Sequence, residues 1–122
     1  MNNARAYSYI ERYGRFAPDN AYHVIRRPPA AWTAFLWNER FISSLDCAGR
    51  GMAMFKDTAH HRAVLRRAHS PRKVFVRDMA SGAVWELLEW HTDGEMIVQR
   101  GSVRFVRRVP GLELVLTILV PR

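Results

Sequence analysis

The 122-residue sequence holds one cysteine, two lysines and no hydrophobic run of membrane-spanning length. Each shortage closes a class of explanation. Cys47 cannot form an internal disulfide, so packing and hydrogen bonds must hold the fold, as suits a reducing compartment. A nucleophilic cysteine needs a base or a lowered pKa, whereas the adjacent Asp46 raises a thiol pKa, so Cys47 is expected to be buried and inert. The longest apolar stretch, residues 114–120, is strand-sized and excludes a spanning helix. Residues 1–7 show no apolar signal core followed by a cleavage site, and a cytoplasmic location is expected, with no membrane partner. Repeats, low-complexity segments and linkers are also lacking. The chain therefore divides into an N-terminal arm, residues 1–12, and one domain, residues 13–122.

What is present is an ordinary globular balance, 48% hydrophobic and 25% charged, which argues against wholesale disorder. The formal charge of +8 rests almost wholly on arginine, since Lys56 and Lys73 are the two lysines. Such a surplus attracts polyanions, but it also suits an acidic partner surface.

Turn chemistry punctuates the chain at short intervals. Gly14, Pro18, Asp19 and Asn20 predict consecutive turns over residues 13–20. Strands are expected at 22–26, 32–37, 41–47 and 52–55, with Gly49 and Gly51 at the tip of a hairpin. Residues 58–68 offer a short apolar stripe among histidines and arginines, which fits one short helix or an extended basic loop. Strand signals return at 73–78, 84–90, 95–100, 103–109 and 112–120. Breaks every eight to twelve residues between β-prone runs predict an all-β, antiparallel sandwich or barrel. The last strand is apolar on nearly both faces, so it must be central or lie at a subunit interface.

The densest aromatic run, residues 32–41, combines Trp32, Phe35, Trp37 and Phe41 with Asn38, Glu39 and Arg40. Trp32 and Phe35 are expected in the core, where large rings remove most area from water. Trp37 is the candidate for stacking, with Asn38 and Arg40 supplying hydrogen bonds. Other candidate chemistry is weaker. Glu86 and Glu89 fall on opposite faces of a strand, Asp93 and Glu95 flank a turn, and all four are expected to be solvated rather than a catalytic pair. His60, His61 and His69 lack the companions of a metal site, and neither a metal nor a cofactor is expected. Gly49-Arg50-Gly51 lacks the lysine and following helix of a phosphate loop. Arg77 and Asp78 occupy opposite strand faces, so one should point inward and find a structural bond. Arg26, Arg27, Arg62, Arg66, Arg67, Arg72, Arg104, Arg107 and Arg108, with Phe105 interleaved, are the polyanion candidates.

The ordered landmarks resemble the N-terminal β-sandwich of glycoside hydrolase family 94, formerly glycosyltransferase family 36, which includes cellobiose, cellodextrin and chitobiose phosphorylases and domains of cyclic β-1,2-glucan synthases. Tyr13-Gly14-Arg15-Phe16 matches its opening motif and Tyr22-His23-Val24-Ile25 its following strand. Pro29, Trp32, Asn38-Glu39-Arg40-Phe41 and the Gly49-Arg50-Gly51 hairpin continue the order. Phe75-Val76-Arg77-Asp78, Gly82, Trp85 and Val120-Pro121 complete it. Two places depart: Met52 replaces an aromatic, and residues 98–102 keep one glycine of a glycine-rich segment. The family's (α/α)6 barrel, with its general acid and phosphate site, has no counterpart, so the resemblance implies ancestry and shape rather than catalysis. It further implies carbohydrate contact, for which Trp37, Asn38, Arg40, Trp85 and Trp90 are the expected residues, and assembly as a homo-oligomer or with a partner subunit. The alternative from charge is a small basic nucleic-acid-binding β-protein.

Overall fold

Strand-forming residues alternate across one of the two longest strands of the computed structural model, which describes residues 10–30, 32–56, 62–65, 67 and 69–122. That element, β10 (Ser102–Val109), turns Val103 and Phe105 to one face and Arg104 and Val106 to the other. It lies between β9 (Gly94–Gln99) and β11 (Leu112–Leu119), with Phe105 opposite Met96 on one side and Leu116 on the other. β1 (Gly14–Phe16) and β2 (Tyr22–Val24) extend the sheet to five antiparallel strands in the order β1-β2-β9-β10-β11. A second sheet has the order β3-β4-β5-β6, from β3 (Ala34–Trp37), β4 (Phe41–Leu45), β5 (Ala53–Phe55) and β6 (Arg62–Leu65). β7 (Phe75–Arg77) and β8 (Val84–Glu86) pair as a separate ribbon.

The core joins the two sheets. Val24, Met96, Val103 and Phe105 from one pack with Leu36 and Leu45 from the other, and Leu88 and Cys47 complete the buried cluster. Each fully buried side chain of this kind contributes about 1.5–3 kcal/mol. The expected antiparallel sandwich is what forms. On the outer face of the five-stranded sheet, Ala21, Ile97 and Val106 are buried beside a ladder of charges. His23 contacts Glu95 at 3.1 Å, Glu95 accepts from Arg108 at 2.9 Å, and Arg108 reaches Glu113 at 3.2 Å. This chain of contacts crosses β2, β9, β10 and β11. Burial pushes the Glu95 carboxyl up, but hydrogen bonds from Arg108 and His23 outweigh it and hold the group below the usual carboxylate range.

The β4–β5 hairpin shows why its glycines are there. Asp46 accepts from the backbone N–H of Ala48 and of Arg50, both at 2.9 Å, which folds the tip. Gly49 adopts φ +72°, and a Cβ at Gly51 would stand 2.0 Å from the Ser44 carbonyl oxygen. Arg72 then clips the hairpin shut. Its guanidinium donates to the carbonyls of Ser44, Gly49 and Met52 and to the Ser43 hydroxyl, over 2.9–3.2 Å. Burial lowers its pKa, partly opposed by Asp46.

Several expectations change. Residues 14–16 form a strand inside the region read as turns, paired to β2. Of the helix candidate, residues 62–65 are a strand paired with β5 across a bulge, and residues 57–61, 66 and 68 lie outside those described, as do residues 1–9 of the arm. Phe35 is 52% exposed rather than core, because Leu36 takes the inward position on β3. Trp32 does pack against the core, its ring 5.7 Å from Tyr13 and 5.9 Å from Tyr22. Among the described residues β11 lies at the sheet edge, which removes the central alternative and leaves the interface one. Arg77 is exposed, and Asp78 instead accepts from Ala80 N–H and the Ser81 hydroxyl to shape a turn.

Candidate functional site

Leu36 points into the core, so strand alternation turns its neighbours Phe35 and Trp37 outward on the same side of β3. Trp37 is 63% exposed. The turn that follows is fixed by Asn38, whose side-chain oxygen accepts from the N–H of Arg40 at 2.8 Å and of Phe41 at 2.7 Å. The Asn38 amide also donates to the Pro121 carbonyl at 2.7 Å, tying the tail after β11 to the β3–β4 turn. Two sheets are thereby joined at this end of the sandwich.

Two shallow depressions flank the Trp37 ring. One, of ≈ 580 Å³, is lined by Trp37, Asn38, Glu39, Arg40 and Arg122. The other, of ≈ 260 Å³, lies among Phe35, Leu36, Trp37, Arg100, Gly101, Val120 and Arg122. Trp37 and Arg122 border both. The arrangement offers a flat ring for stacking, with guanidinium donors around it and one carboxylate, Glu39.

The structure brings Trp37, Asn38 and Arg40 together and places Trp85 and Trp90 elsewhere. Trp85 is half-buried on β8. Trp90 packs against the core and lines a separate ≈ 230 Å³ depression with Arg27, Pro28, Pro29, Ala30, Asp46, Cys47, Ala48 and Arg50. Arg100 and Arg122 at the Trp37 end escape sequence reasoning, because they arrive on the β9–β10 turn and the tail. The glycine after Arg100, with φ +81°, is the one local sign that Arg100 sits at a tip.

The remaining candidates lie away from the Trp37 ridge. Glu86 and Glu89 converge on the Lys73 ammonium rather than standing alone in solvent. Asp93 pairs with Arg107, and Glu95, 12% exposed, belongs to the charge ladder. Of the polyanion set, Arg107 and Arg108 are engaged by carboxylates and Arg72 by the hairpin. Phe105 is 4% exposed in the core and is no stacking surface. Cys47 is buried; burial pushes its thiol pKa up and Asp46 adds to the rise. His69 is exposed, and His60 and His61 lie outside the described residues. Among the described residues no three His, Cys, Asp or Glu side chains gather as a metal set, and no helix is long and apolar enough to cross a membrane.

The geometry defines a two-layer antiparallel β-sandwich with an exposed tryptophan at one end. Comparison with known proteins gives the family: residues 22–122 match the glycosyl hydrolase 94 supersandwich domain, and the chain belongs to that family. It is 30% identical over 83 residues to the N,N'-diacetylchitobiose phosphorylase of Vibrio proteolyticus, which covers 62% of this chain and 10% of that relative. The chain thus spans about a tenth of the curated relative it matches. No solved structure matches it significantly.

Proposed function

We propose that the chain is a non-catalytic supersandwich module whose work is carbohydrate contact at the Trp37 ridge. The observation that carries this reading is the outward, 63%-exposed Trp37 ring between two depressions in a member of a sugar-processing family. A pyranose presents an apolar face to the indole, while Arg40 donates to its hydroxyls. Asn38, already bonded to the turn and the tail, holds the ring and Arg40 in register. Trp85 and Trp90 are accessory surfaces in this reading. The single cysteine favours a cytoplasmic setting. Calorimetric titration with cello-oligosaccharides and β-1,2-glucan tests it. Wild type should bind, and Trp37→Ala should abolish binding while circular dichroism stays unchanged; unaltered binding by the variant rejects the platform.

A second reading, subunit assembly, is favoured by β11. Among the described residues it has one sheet neighbour, and Val115 and Leu119 are 50% and 57% exposed on its outer face. A free apolar edge is a template for another strand. Light scattering should detect association that Val115→Lys with Leu119→Lys removes; a monomer at every concentration rejects it.

A further inference from the structure

Most arginines that the structure holds near acids are spoken for: Arg50 by Asp46, Arg107 by Asp93, Arg108 by Glu95 and Glu113. The Trp37 ridge is different. Arg40 lines one of its depressions, Arg100 the other, and Arg122 both. Among the described residues none of these three guanidinium groups has a hydrogen-bonded or ion-pair partner, although Glu39 lines the larger depression. The three come from separate segments, the β3–β4 turn, the β9–β10 turn and the tail. The bond from Asn38 to Pro121 fixes one of those segments against another.

Three unpaired cations around an exposed ring are mismatched to a neutral glucan, whose hydroxyls need no net positive charge. A guanidinium fork matches carboxylate or phosphate oxygens bidentately, and such charge-assisted bonds are about twice as strong as neutral ones. Phe35 extends the apolar surface on the same side of β3, about 7 Å along the strand from Trp37 at two residues' rise. We infer that the ridge takes an anionic sugar chain, its pyranose rings on Trp37 and Phe35 and its carboxylate or phosphate groups on Arg40, Arg100 and Arg122. This rests on the carbohydrate reading above and sharpens its ligand class.

The test is a tryptophan-fluorescence titration of the whole chain with four probes. These are a neutral β-glucan tetrasaccharide, a uronate tetrasaccharide, a hexose phosphate, and a single-stranded oligonucleotide carrying the same charge as the uronate. The expected result is saturable quenching by the uronate or the hexose phosphate at affinity about tenfold or more above the neutral sugar, declining with salt. Whichever of the two arms leads identifies the anion. Arg100→Gln combined with Arg122→Gln removes no hydrogen bond or ion pair among the described residues, so the double variant should fold, keep neutral-sugar binding through Trp37 and Arg40, and lose most of the preference. Equal affinity for neutral and anionic sugars, or a preference that survives the double variant in full, overturns this inference and leaves the carbohydrate platform standing. Tighter binding of the oligonucleotide than of either anionic sugar also overturns it. Silence from every sugar defeats the platform and the inference together.

Discussion

Arg72 gives the sharpest stability prediction, because one side chain closes a hairpin by bonds to acceptors 20–29 residues away in sequence. Hydrogen bonds from a charged donor contribute about 1.5–3 kcal/mol each in isolation, so four would suggest roughly 6–12 kcal/mol. That sum overstates the loss. Taking the guanidinium out of water offsets part of it, and truncation opens a channel through which water can reach the Gly49 and Ser44 carbonyls. The Ser43 hydroxyl, on a residue only 4% exposed, is the acceptor that water reaches least easily. A net cost of about 3 kcal/mol for Arg72→Ala is the working figure, with Arg72→Lys losing about half because an ammonium cannot span four acceptors. In urea, at a slope of about 1.5 kcal/mol per molar, the midpoint should fall by about 2 M for alanine and about 1 M for lysine. A midpoint shift under about 0.5 M for alanine, with unchanged slope, would refute the clip as a stabilising element.

Glu95 predicts the acid limb of stability. Its folded pKa is depressed, so its contribution is present above the unfolded carboxylate value and is lost as pH falls through the lower folded value. Glu95→Gln should therefore flatten the decline in melting temperature over that window, and a variant with the wild-type acid limb would contradict the ladder. Cys47 should resist thiol reagents in the native chain and label at the rate of unfolding, since burial and Asp46 keep it protonated. Rapid stoichiometric labelling without denaturant would count against that burial.

The sandwich was legible because turn residues recur between β-prone runs and because Val103, Phe105 and the even positions of 112–120 declare an inward face. What escaped depends on pairing between distant segments. Residues 32–37 are apolar almost throughout, so no alternation announces that Leu36 goes in and Phe35 goes out; the packing of Leu36 with Leu45 settles it. The edge position of β11 follows from sheet order, which places β2 beside β9 and leaves β11 with one neighbour among the described residues. Residues 62–65 carry a weak helical stripe, but a partner strand in β5 overrides local propensity. Arg72 looked like one of many surface arginines because its acceptors lie on another hairpin. At the candidate site Trp37, Asn38 and Arg40 are neighbours in sequence and could be read together, whereas Arg100 and Arg122 join them only through the fold.

The most direct test of the central claim is the indole N–H region of a two-dimensional ¹⁵N–¹H NMR spectrum, where Trp32, Trp37, Trp85 and Trp90 each give one cross-peak. Titration with an oligosaccharide should move the Trp37 signal, assigned by Trp37→Phe, along a saturable path and leave the core-packed Trp32 signal in place. A spectrum in which the Trp37 peak stays still while sugar is added to saturation would contradict the Trp37 ridge as the point of carbohydrate contact.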